Sequence, residues 1–238
     1  MKRLIKPIFR RFGLDIVKYR NSKITKAMDE SYLEVLADPA FQKSVDEVKN
    51  ITLLDTARLA NLWQLCCMSN PSGSLIEIGS YKGGSALHIS NSCPGRTIFV
   101  CDTFEGFGDL PMDPSLDHLF ARERFRDTSF ESVKTRWTNK GRDVRWVRGY
   151  FPESAAEIEI ANVSFAHIDL DIYESTVKAL RYLRPRLIDR SIVVFDDYLR
   201  GADGVVRAVR EFSAAHPDWA TFPIFPGQGL MIHRSWVG

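Results

Sequence analysis

Two apolar runs that each end in carboxylates constrain this chain most: Ile168-Asp169-Leu170-Asp171-Ile172-Tyr173-Glu174-Ser175-Thr176 and Val193-Val194-Phe195-Asp196-Asp197. Asp169 and Asp196 stand 27 residues apart, room for one strand–helix–strand crossover. Adjacent parallel strands would carry Asp169, Asp196 and Asp197 to the same edge of a sheet. In an open α/β sheet that carboxyl edge is where ligands bind. Three carboxylates converging there repel one another unless protons or a cation neutralise them. Oxygen-only donors suit a hard ion, Mg²⁺ first, then Ca²⁺ or Mn²⁺. The plainer alternative is that these aspartates only cap the helices that follow them.

The rest of the chain fits an alternating pattern. Apolar spacing predicts a helix over 51–70, stopped by Asn70-Pro71-Ser72-Gly73. Strands are then expected over 74–79, 97–102, 144–149, 163–170 and 191–197, with helices over 84–92, 130–139, 175–187 and 204–216. Residues 103–126 read as a loop rich in Asp, Gly and Pro. Two closing strands flank Pro226-Gly227-Gln228-Gly229, a turn between antiparallel partners. Such alternation implies a doubly wound, mostly parallel sheet of seven strands with one antiparallel strand. The expected division is an N-terminal helical extension over 1–50 and one catalytic domain over 51–238.

The first strand runs into Leu75-Ile76-Glu77-Ile78-Gly79-Ser80-Tyr81-Lys82-Gly83-Gly84-Ser85. Gly79 and Gly83 permit a sharp turn and close approach of a ligand to backbone. The segment is neither GxGxxG nor a P-loop. Glu77 would repel a pyrophosphate but suit a ligand carrying an ammonium. Asp102, closing the next strand, is placed to accept hydrogen bonds from ribose hydroxyls. Together these residues suggest S-adenosylmethionine rather than NAD. The expected cofactor set is Glu77, Gly79, Ser80, Tyr81, Gly83, Ser85, Asp102, Thr103, Gly149 and Tyr150, the last two ending the third strand. Asp169 is the first candidate for general base, beside a hydroxyl whose acidity a cation at Asp169, Asp196 and Asp197 would raise. His167 reads as a core histidine; His118, in the 103–126 loop, is either another base or simply an exposed loop residue.

Those motifs, LIEIGSYKGGS, VCDTFEGF, VRWVRGYF, HIDLDIYESTVKALRYLRPRL and IVVFDDY in that order, resemble the macrocin O-methyltransferase family (TylF/MycF-like) over roughly residues 51–234. Leu170 stands where members often carry glycine. The resemblance implies the Rossmann-like fold of S-adenosylmethionine-dependent methyltransferases and a divalent metal at Asp169, Asp196 and Asp197. It also implies methyl transfer to a hydroxyl of a sugar in a bacterial glycan or glycosylated natural product. Two other functions compete: methylation of a phenolic or catechol-type acceptor, and a catalytically idle cofactor-binding partner protein.

Net charge of only +2 argues against nucleic acid as the main partner. The four cysteines show no metal or redox spacing; Cys66-Cys67 read as buried thiols in a helix, as a reducing cytoplasm would leave them. No apolar run is long enough to span a bilayer. Residues 1–20 alternate Leu4, Ile5, Ile8, Phe9 and Phe12 with Lys2, Lys6, Arg10 and Arg11. That spacing predicts an amphipathic basic helix. It would either pack as an arm, on its own domain or in a homo-oligomer, or rest on the inner face of an anionic membrane near a lipid- or glycan-linked acceptor.

Overall fold

The computed structural model describes residues 34–120, 122–199 and 201–236. The basic helix expected over 1–20 lies outside them. Residues 38–238 form one compact unit, and residues 1–37 are a separate one.

The compact unit begins with helix α1 (Pro39–Val48), capped by the Asp38 carboxylate, which accepts from the Ala40 amide. Helix α2 (Thr56–Met68) starts later than the apolar pattern predicts, because the Asp55 side chain caps it by accepting from the Arg58 amide. Residues 51–55 are left outside the helix. Strand β1 (Ser74–Ile78), helix α3 (Gly84–Ser92), strand β2 (Ile98–Asp102), helix α4 (Phe130–Trp137), strand β3 (Val144–Arg148) and strand β4 (Val163–Ile168) follow. Next come helix α5 (Tyr173–Leu183), strand β5 (Leu187–Phe195), helix α6 (Asp203–Ala215), and strands β6 (Trp219–Ile224) and β7 (Gln228–His233). Helix α5 stops at Leu183, short of the predicted 187. Pro185 has no N–H to continue the ladder, and the chain passes through a 3₁₀ turn into β5.

The sheet order is β3-β2-β1-β4-β5-β7-β6. The first five strands are parallel. β7 runs antiparallel to both β5 and β6, and is the one reversed strand that the closing turn predicts. β4 is buried along its whole length, as a central parallel strand covered on both faces must be. The adjacency of β4 and β5 is what the 27-residue spacing requires: Ile168 pairs with Phe195, so Asp169 and Asp196 leave the sheet side by side.

Helices α1, α2 and α3 share a core. Phe41 meets Trp63 and His88 edge-on. His88 bonds Ser44 Oγ through Nδ1 and the Leu59 carbonyl through Nε2. Burial lowers the His88 pKa to about 4, so the ring is neutral at physiological pH. Cys66 is buried but Cys67 is exposed, contrary to the reading of both as core thiols. Neighbours on a helix point about 100° apart, so one apolar face holds only one of them. Among the described residues no helix is long and apolar enough to cross a membrane.

Candidate active site at the carboxyl edge

The ends of β1, β2, β4 and β5 open onto a cavity of about 300 Å³. Continued ladder bonds align them: Gly79 N–H donates to Cys101, Asp169 N–H to Ile78 and Asp196 N–H to Ile168. Gly79 has φ +90°, and a Cβ there would collide with the Asp169 carbonyl. The loop after β1 therefore packs backbone to backbone on the end of β4, which only glycine allows.

Eight of the ten residues expected to hold a cofactor line this cavity: Gly79, Ser80, Tyr81, Ser85, Asp102, Thr103, Gly149 and Tyr150. Gly83 instead caps α3 in a left-handed conformation. Glu77 does not reach the cavity. It is fully buried, and its Oε1 pairs with His167 Nδ1 at 2.8 Å on the neighbouring strand. Successive strand residues face opposite sides of the sheet, and Glu77 is on the side that meets His167. Asp102 does more than present an acceptor. Its carboxylate accepts from the Ser80, Tyr81 and Phe104 amides at 2.7, 2.8 and 2.5 Å, and so fixes the turns after both β1 and β2. Burial pushes its pKa up against the opposing pull of those amides.

The three aspartates expected to hold a cation, Asp169, Asp196 and Asp197, all line the cavity, and Asp171 joins them. Carboxylate oxygens of Asp169, Asp171 and Asp197 lie within 4.8 Å of one another. Asp196 lines the same cavity but is paired: Arg58 Nη1 donates to it at 2.5 Å, and Gln228 Nε2 at 3.1 Å. Arg58, from α2, also donates to Asp55 and to the Leu53 carbonyl, and lies 3.8 Å from Asp197. Burial would lower the Arg58 pKa, but Asp196, Asp55 and Asp169 outweigh it and raise it. Asp169 and Asp171 are both held well above the usual carboxylate range. The first cause is burial; next come Asp196, Asp171 and Asp197 acting on Asp169, and chiefly Asp197 on Asp171. Tyr81, Asp171 and Asp197 have φ of +49°, +65° and +53°, left-handed conformations that cost non-glycine residues about 1 kcal/mol each.

Sequence reasoning missed Arg58, Asp171 and the wall of residues 51–54. Asp171 had a signal in its DxD spacing from Asp169. Arg58 had none linking it to a partner 138 residues away. The 103–126 loop closes the cavity with Phe107, Leu110, Phe120 and Phe125, and Arg124 stacks on Phe120 and Phe125. Clustered oxygen donors, with Asp169 and Asp171 held above the usual carboxylate range by burial and their acidic neighbours, are a fit for a hard cation, which would remove the repulsion.

The family profile described as macrocin O-methyltransferase (TylF) matches residues 41–220. Among curated proteins the chain is 29% identical over 166 residues to a tetracenomycin-C rhamnosyl 4'-O-methyltransferase of Streptomyces olivaceus, covering 62% of each. It is 27% identical over 202 residues to mycinamicin III 3''-O-methyltransferase of Micromonospora griseorubida, covering 77% of this chain and 78% of that one. The match thus spans less than two thirds of the first relative's length. Among solved structures, the O-methyltransferase NovP superposes with a TM-score of 0.66 at 26% identity, covering 76% of this chain and 81% of that one.

Proposed function

The chain belongs to the macrocin O-methyltransferase family, and from that premise we propose that it moves the methyl group of S-adenosylmethionine to a sugar hydroxyl with a hard divalent cation, Mg²⁺ first. The observation that carries this reading is the placement of the Asp169, Asp171 and Asp197 cluster across one cavity from the Gly79–Tyr81 loop. The relatives' activities on glycosylated natural products support the sugar acceptor.

When bound, S-adenosylmethionine supplies a methyl group on a positively charged sulfur, and the cation supplies Lewis acidity toward neighbouring oxygens. Gly79, Ser80, Tyr81 and Ser85 form the cofactor wall, and Asp102 holds its amides in place. Asp169, Asp171 and Asp197 hold the cation, while Arg58 keeps Asp196 out of that set. Asp169 accepts the proton from the acceptor hydroxyl. Without the cation Asp169 and Asp171 both lie well above the usual carboxylate range, through burial and their acidic neighbours, and a bound cation would draw both down. A catechol-type acceptor also offers vicinal oxygens, and the apolar wall of Phe107, Leu110, Phe120 and Phe125 is the observation that favours it.

The test is release of S-adenosylhomocysteine from rhamnosides and catechols assayed side by side, with Mg²⁺ or with a chelator. Turnover on a glycoside that the chelator abolishes is expected. A fall of at least about 100-fold in kcat is expected for Asp169→Asn, the scale of a lost general base. Equal turnover in the chelator would overturn the cation; a normal kcat in Asp169→Asn with a fall in Asp171→Asn would move the base to Asp171.

A further inference from the structure

A second cluster of reactive groups lies at the opposite, amino edge of the sheet. The end of α2 and the end of α3 bring three thiols together there. Cys66 Sγ lies 3.3 Å from Cys93 Sγ, and Cys67 Sγ donates to the Ser92 carbonyl at 3.5 Å. None of the four cysteines is in a disulfide. From this contact we propose that Cys93 and Cys66 form a peroxide-oxidisable pair, in which Cys93 reacts first and Cys66 resolves it into a disulfide tying α2 to α3.

The two sulfurs differ in the way such a pair requires. Cys93 is half-buried and reachable from solvent, whereas Cys66 is buried and protected until its neighbour has reacted. S–H groups from Cys66 and Cys67, with the Arg96 cation, hold the Cys93 thiol below its ordinary value. Burial pushes the Cys66 thiol up. Arg96 is itself fixed, donating to the Gly73 carbonyl, to Ser69 Oγ at 3.1 Å and to Ser164 Oγ. A thiolate beside a fixed cation is the nucleophilic form.

The chemistry balances. The Cys93 thiolate attacks one peroxide oxygen and breaks the O–O bond, leaving a sulfenic acid; the departing hydroxide takes up the proton that Cys93 released and becomes water. The Cys66 sulfur then attacks the Cys93 sulfur, and the sulfenic hydroxyl leaves as water with the Cys66 proton. Each sulfur loses one electron, each peroxide oxygen gains one, and two thiols plus hydrogen peroxide become a disulfide plus two waters. The bridge would join the helix that carries Arg58 to the helix that follows the Gly79 loop, two parts of the cavity wall, without touching the cavity.

Hydrogen peroxide applied to the full chain, followed by denaturation, alkylation and peptide mapping, tests this. Free thiols should fall from four to two, with a Cys66–Cys93 linked peptide that dithiothreitol reverses. The unfolding midpoint should rise on oxidation and return on reduction. Cys93→Ser should yield no crosslink, and Cys66→Ser should stop at a sulfenic acid trapped by dimedone. Absence of the linked peptide, a Cys67–Cys93 link in its place, or loss of two thiols from Cys93→Ser would overturn the proposal.

Discussion

The two halves of the cavity's floor treat buried carboxylates in opposite ways. At the end of β2, Asp102 is met by three backbone amides. At the end of β4, Asp169 and Asp171 meet Asp197 and one another. Asp196, between these extremes, is next to Asp197 in sequence yet bonded to Arg58 and Gln228. A carboxylate surrounded by donors shapes the scaffold; one surrounded by other carboxylates is shaped for a ligand. The difference can be probed by removing charge or partner at each place.

The largest effect is expected at Arg58. Arg58→Met would take from the buried Asp196 its charged donor and leave it Gln228, and breaking a buried pair this way costs about 3–5 kcal/mol. Urea unfolding should show that loss. A cost under about 1 kcal/mol would mean that Asp196 belongs with the cation cluster after all.

Asp102→Ala should come next. It strips three amides of their acceptor and frees the Ser80–Tyr81 turn, a loss of about 2–3 kcal/mol given the cost of unmatched buried donors. S-adenosylmethionine affinity by calorimetry should fall at least tenfold. Unchanged affinity with lowered stability would make Asp102 purely a brace.

The smallest and opposite effect belongs to Asp171→Asn. Its carboxyl is raised in the folded protein by burial and by Asp197, so the folded state binds more protons than the unfolded one above about pH 4. Stability carried by this group is therefore present at low pH and lost as pH rises through the raised folded pKa. The variant without cation should be more stable than the parent at neutral pH, by about 1 kcal/mol or more. The gap should close as pH falls. Because both proteins keep His88, whose lowered pKa imposes the reverse slope, the difference between them isolates the cluster. A less stable variant at neutral pH would show that the cluster is already compensated.

Much of this arrangement was legible in the sequence. Strand spacing followed from periodicity, because burial on both faces leaves long apolar runs, and the reversed strand followed from the closing turn. The convergence of Asp169 with Asp197 followed from one crossover length. Glu77 and Asp196 were harder, since a carboxylate's partner is set by tertiary contacts. His167 lies on another strand and Arg58 on another helix, and nothing local announces either pairing. The boundaries of α2 and α5 were set by Asp55 and Pro185, single residues that override a periodic pattern.

The reversed strand has a further consequence, in the order of synthesis. Gln228 opens β7, bonds Asp196 Oδ1 and accepts from Asn61 Nδ2. It leaves the ribosome 32 residues after Asp196, behind helix α6 and strand β6. A nascent chain that has already laid down its five parallel strands still has Asp196 short of its second partner. Completion of the floor beneath the acidic cluster is therefore timed by the last strand to emerge, and not by the strands that carry the aspartates.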